Sequence, residues 1–190
     1  MKQLANKRFV LVLCLLVWIC LCGLPANEVL AAAETNEPTL RIGLMTKQFG
    51  ILAESNGSYE IVNVDTNKVQ AEYAAGAKTR IGLREGKFVI NNSVIEGDRF
   101  RIAPRKSKSM EREERLIEIN NRRYRGVVEV FRTQGTNGLT AVNIVPVDDY
   151  VYGLMLRDIT PEWPEQALKA QAVATRTFAL YNVGKHKNDG

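Results

Sequence analysis

Cysteine, histidine and long apolar runs are all scarce in this 190-residue chain, and where they occur they lie near its ends. Cys14, Cys20 and Cys22 are the three cysteines, and His186 is the single histidine. Beyond residue 22, therefore, neither a disulfide nor a thiolate metal site can be built, and a lone histidine near a terminus reads as a solvated side chain. No metal and no cofactor is implied. No repeat of 20–50 residues runs along the chain, which excludes solenoids and propellers. No helix-turn-helix or aromatic-basic motif accompanies the net charge of +5, so nucleic acid is a poor partner.

The long apolar run spans residues 9–24, preceded by Lys2, Lys7 and Arg8 and followed by small residues at 29–33. A basic start, an apolar stretch and small residues where a signal peptidase would cut define a secretory signal peptide over residues 1–33. The run is slightly long for a signal core and short for a spanning helix, which leaves an uncleaved N-terminal anchor as the alternative. Ile19 and Leu21 precede Cys20 and Cys22, where a lipoprotein signal wants a small residue. Loss of the segment removes Lys2, Lys7, Arg8 and Glu28 and lowers the net charge by two. A mildly basic, secreted or extracytoplasmic chain suits an anionic cell wall.

The remaining residues, about 157, suffice for one ordinary domain or two small lobes. Short apolar segments at 39–45, 59–64, 79–83, 88–90 and 100–102 read as strands, with turn signals at Asn56-Gly57, 65–67, Glu85-Gly86 and Glu96-Gly97. They predict a β-rich N-terminal lobe over 38–104. Residues 105–115 form a mixed-sign charge run that reads as a solvated linker, with a polymer-touching patch around Arg105, Lys106 and Lys108 as the alternative. After it, 116–119, Asn120-Asn121 and 123–131 read as a hairpin, and 139–145 as a further strand.

Pro146 ends that strand and Asp148-Asp149 open a short helix carrying Tyr150, Val151 and Leu154, with acids at the positive dipole end. Tyr150 and Tyr152 are core residues of that helix or exposed stacking platforms. Pro164 and Glu165 suit the opening turn of a long Ala-rich helix over 164–183, whose small apolar residues predict a core helix packed on several sides. Gln166, Lys169, Val173 and Arg176 share one stripe of it, either solvent-facing or site-forming. Asp158 lies in the turn between the helices, where it caps that turn or supplies an acid. Strands followed by helices make the fold class α+β: a β-rich N-terminal lobe, then a hairpin, a short helix and a long Ala-rich helix.

The lead-in from Val147 to Gly153, the Trp163-Pro164 pair and the run from Ala167 to Thr177 resemble the SpoIID/LytB family, with weaker likeness at Tyr124-Arg125-Gly126 and 139–146. The resemblance implies a cell-wall protein, in sporulation or vegetative remodelling, acting on the glycan strands of peptidoglycan in a groove flanked by the two helices. It further implies a lytic transglycosylase cleaving between N-acetylmuramic acid and N-acetylglucosamine to leave a 1,6-anhydro end. The alternative is a non-catalytic peptidoglycan-binding or amidase-enhancing protein, with a cell-wall amidase as partner. One carboxyl suffices for the lytic reaction, because the 6-hydroxyl of the sugar is the nucleophile; the acid then needs a raised pKa.

By alignment Asp158 stands where the family has its catalytic glutamate, and Gln166 where the alanine-rich motif opens with another. Aspartate is one methylene shorter and starts from a slightly lower pKa. Glu162 would replace it only if the register slipped, against the alignment of Trp163-Pro164. Lys169, Gln171 and Arg176 are the expected substrate-binding residues, with Arg176 alternatively anchoring the helix. In the family the domain continues past the point reached at Gly190, through the cysteines that partner a histidine at the position of His186. Residues 116–190 are accordingly expected to be an incomplete SpoIID-type domain, with apolar surface on its helix left uncovered.

Overall fold

The computed structural model describes residues 37–105, 115–160 and 162–185, with the backbone alone for Leu156 and Asp158. The expected signal peptide, most of the charged run and His186 lie outside the described residues. In chain order the strands are β1 (Thr39–Gln48), β2 (Gly50–Ser55), β3 (Tyr59–Asn63), β4 (Lys68–Tyr73), β5 (Thr79–Arg84), β6 (Lys87–Ile90), β7 (Ser93–Ile95), β8 (Arg99–Pro104), β9 (Ile117–Ile119), β10 (Arg122–Tyr124), β11 (Val127–Arg132) and β12 (Leu139–Pro146). The helices are α1 (Val147–Asp158) and α2 (Glu165–Tyr181).

Alternation builds the core. Ile51 and Ala53, Phe88 and Ile90, Phe100 and Ile102, Ile117 and Ile119, Val128 and Val130, and Leu139 and Ala141 are all buried two residues apart, so each strand turns one face inward. Two antiparallel sheets result, ordered β1-β12-β11-β8-β3-β4 and β10-β9-β2-β5-β6-β7, and their inner faces meet in one apolar cluster. Phe88 of the second sheet and Phe100 of the first touch with ring centroids 4.9 Å apart and planes tilted by 60°. Tyr59 keeps its hydroxyl satisfied inside that cluster: it donates to the Ala77 carbonyl at 2.7 Å and accepts from the Thr79 hydroxyl at 2.6 Å.

The fold is the expected α+β class, but the division into lobes does not follow the sheets. β1 pairs with β12, β8 with β11 and β2 with β9, so the segments before and after residues 105–115 contribute to both sheets, within one unit over Glu37–Gly190. Three strands add to the sequence reading: β2, β4 and β7. The expected strand 123–131 is broken. Gly126 has φ 77°, and a Cβ there would collide with the Ile144 carbonyl oxygen, so the chain turns at this glycine to leave the second sheet and enter the first.

Asparagine makes two of the tight turns. Asn120-Asn121 joins β9 to β10 with φ 47° and 67°, and Asn91-Asn92 joins β6 to β7 with φ 51° and 101°. Asn120 Oδ1 accepts from the Leu52 amide at 2.9 Å and Asn91 Oδ1 from the Arg80 amide at 2.9 Å, so each side chain takes the place of a strand carbonyl.

The two helices follow the last strand directly. Pro146 precedes α1, and the Glu37 carboxylate accepts from the Asp148 amide at 2.6 Å, supplying the anion that a helix N-terminus favours. Pro164 caps α2 instead of lying within it, and Glu165 is its first residue. The expected core helix is a surface helix. Only Ala179 of α2 is buried, in a small cluster with Leu40, Val145, Val147 and Val151, against which Ala172, Met155 and Tyr150 pack. Alanine fails to bury because α2 leans on α1 along one narrow face, with nothing among the described residues covering the others. Val173, Phe178, Tyr181 and Val183 are between 65% and 78% exposed. No helix among the described residues is long and apolar enough to cross a membrane.

Candidate functional site

α1 ends at Asp158, which places this residue on a helix terminus rather than in a turn ahead of α2; residues 159–164 connect the helices. Ile159 closes α1, its amide donating to the Met155 carbonyl at 3.2 Å. The side chain of Asp158 lies outside the described residues. Glu162 lies in the connector, fully exposed. Hydrogen bonds from its own backbone amide and the Thr160 side chain hold its carboxyl below the usual glutamate range, which suits an acceptor more than a proton donor.

On α2 the expected binding residues are all exposed, as are Gln166 and Val173 of the same stripe. Lys169 pairs with Glu165 one turn earlier at 2.6 Å. Arg176 reaches across to Asp148 and ties α2 to the first turn of α1, the anchoring role weighed for it from sequence. Gln171 is exposed on the helix surface. Among the described residues no group of three histidine, cysteine, aspartate or glutamate side chains is placed to hold a metal ion.

Sequence reasoning gave Arg125 no role, yet it organises the outer side of α1. Its guanidinium lies 4.5 Å over the Tyr152 ring and 3.7 Å from the Asp149 carboxylate. Asn143 Nδ2 donates to the Arg125 and Val127 carbonyls at 2.8 and 3.0 Å, locking the backbone that carries this arginine. Tyr152 is half exposed, whereas Tyr150 packs on the α1–α2 cluster. Sequence spacing could not reveal the pair: β11 must come alongside β12 before Arg125 meets α1.

A second unforeseen group is Glu129, buried in the first sheet between Arg41 of β1 and Arg101 of β8, at 3.0 and 2.9 Å. Burial pushes its carboxyl up, but hydrogen bonds and charge from Arg101 and Arg41 more than offset this, leaving it below the usual glutamate range. Both its oxygens are engaged, which makes it a structural clamp across three strands.

Fold and site together define an antiparallel two-sheet protein that carries a pair of surface helices, with Asp158 at the end of one and a polar stripe on the other. That helical end is what known proteins share. Residues 135–190, covering β12, α1 and α2, match the family model SpoIID, described as Stage II sporulation protein. An uncharacterized protein of Brachyspira hyodysenteriae (strain ATCC 49526 / WA1) is 46% identical over 50 residues, which is 26% of this chain and 14% of that protein. The matched stretch thus spans about a seventh of that relative's length. No solved structure matches. The SpoIID match bears out the resemblance read from the residues around Trp163-Pro164.

Proposed function

We propose that this chain is an exported cell-wall protein that acts on the glycan strands of peptidoglycan, as a lytic transglycosylase with Asp158 as its acid and base. The observation that carries this reading is the SpoIID match over 135–190, which includes Asp158, both helices and the connector. In the reaction Asp158 protonates the leaving glycosidic oxygen between N-acetylmuramic acid and N-acetylglucosamine. The 6-hydroxyl of the same muramic acid attacks the anomeric carbon and gives its proton back to the carboxylate, leaving a 1,6-anhydro end. Lys169 and Gln171, exposed on α2, supply donors for lactyl and acetamido groups, and the half-exposed ring of Tyr152 a surface for a sugar ring.

A second reading, a wall-binding or amidase-enhancing protein without its own chemistry, is favoured by the shorter acid at position 158 and by the engagement of Arg176 with Asp148. One experiment separates the two. Peptide-free glycan strands are incubated with the chain and the products read by mass spectrometry. Anhydro-muramyl products that vanish in Asp158→Ala and increase in Asp158→Glu support the enzyme. Intact strands that co-sediment with the protein support the binder. Strands neither cut nor bound overturn both.

A further inference from the structure

We propose that the outer face of the second sheet is a separate binding groove for an N-acetylated, carboxylate-bearing glycan, formed by Phe49, Arg80, Gly82, Arg84 and Asn91. The inference rests on the reading of the chain as a wall-glycan protein and adds a contact distant in sequence from Asp158. The groove is an open concavity of about 470 Å³, and none of the residues lining it is acidic.

Four observations point to a ligand. First, Phe49 sits where the chain crosses from β1 to β2 and is 90% exposed, so it contributes nothing to the core. Second, Arg80 and Arg84 face outward from β5, while Thr79 and Ile81 face the core. Neither guanidinium has a carboxylate within ion-pair distance among the described residues, whereas the acids on the same face, Glu54 and Glu118, are engaged by Lys78 and Arg123. The two arginines lie about 13 Å apart along the strand, which suits successive anionic groups on an extended polymer.

Third, the floor is flat without a backbone reason. Gly50 and Gly82 face each other across β2 and β5. Neither has the positive φ that calls for glycine, and a Cβ on Gly82 would meet only the Phe49 carbonyl oxygen at 3.7 Å, an ordinary contact. A β-branched residue would serve the strand better than glycine does, so the fold does not ask for the missing side chain. Fourth, Asn91 is exposed and spends its Oδ1 on the Arg80 amide, while its Nδ2 makes no hydrogen bond among the described residues. An apolar ring, a flat floor, amide donors and two spaced guanidinium forks match a sugar ring, its acetamido group and its carboxylates. A polyphosphate polymer would use the arginines and leave Phe49 and the amides idle.

The test is co-sedimentation of the full chain with peptidoglycan stripped of its stem peptides, which frees the lactyl carboxylates, with the same peptidoglycan amidated by carbodiimide, and with a phosphate-based wall polymer. Arg80→Gln combined with Arg84→Gln is expected to weaken binding to peptidoglycan about tenfold. Gly82→Val, which keeps the charge and favours the strand, is expected to weaken it comparably without lowering the melting temperature. Lys68→Gln combined with Arg122→Gln removes the same charge elsewhere and is expected to leave binding unchanged. Wild-type protein should also bind amidated peptidoglycan about tenfold more weakly. The proposal is overturned if the groove variants bind like wild type, if the control pair weakens binding equally, or if wild-type protein prefers the phosphate polymer. A wild-type chain that neither cuts nor binds any glycan would instead sink the wall-glycan reading, so the two failures are distinct.

Discussion

Glu129 shows how one residue couples charge to the packing of three strands. Its folded pKa is lowered, so the stability it contributes is present above the ordinary glutamate value of about 4.3 and is lost as pH falls through the depressed folded value. Glu129→Gln should cost about 1–3 kcal/mol at pH 7, less than a fully buried pair because both arginines are part-exposed. The gap to wild type should close as urea titrations are repeated from pH 5 downward; a gap that stayed constant would assign the cost to shape. Gly126 and Gly76 make a second residue-level comparison, with nearly equal φ values of 77° and 73°. Gly76 faces open space and Gly126 faces the Ile144 carbonyl. Gly76→Ala should therefore cost about 1 kcal/mol from the left-handed backbone alone, and Gly126→Ala about 3 kcal/mol. Equal losses would remove the steric account of the break between β10 and β11.

At the scale of elements, α2 is held by little. One narrow face around Ala172 and Ala179 touches its neighbours, and the Arg176–Asp148 pair is exposed, so that pair contributes about 1 kcal/mol at most. The amides of α2 should therefore exchange with deuterium well before those of β11 and β12, and Ala179→Asp should unprotect α2 while leaving the sheets protected. Simultaneous loss of protection in helix and sheets would show that α2 belongs to the main cooperative unit. Element by element, much was legible in the sequence. β1, β3, β5, β6, β8, β12 and both helices follow from local apolar pattern, proline and acid placement. β2, β4 and β7 were not, because β4 (KVQAEY) is an edge strand with little apolar signal and β7 has three residues. The Asn91-Asn92 turn went unread along with β7, although Asn120-Asn121, the same chemistry, was recognised.

Across the whole molecule the two sheets share one core, and Phe88 and Phe100 bridge it. Either residue changed to alanine should lower a single unfolding transition by about 3–5 kcal/mol, and a double-mutant cycle should return a coupling of about 1 kcal/mol. Tyrosine fluorescence and far-ultraviolet circular dichroism should give coincident denaturant curves for the sheets; two separated transitions would show that the sheets do not unfold as one core. The site has the same global character. Trp163-Pro164 and the alanine-rich run identify the helical end locally, but Arg125 reaches Tyr152 only after β11 has paired with β12.

The residues by themselves determined the α+β class, the positions of most strands and both helices, and the kinship of residues 135–190, since all of these are set by short-range periodicity, turn chemistry and motif identity. Tertiary structure alone decided which strands are neighbours, that the expected lobes interleave, that Glu129 is clamped by two arginines, and that α2 lies on the surface. The physical reason is that antiparallel pairing joins residues about 100 positions apart, as in Arg41 and Ile144, through hydrogen bonds and burial that no local window contains.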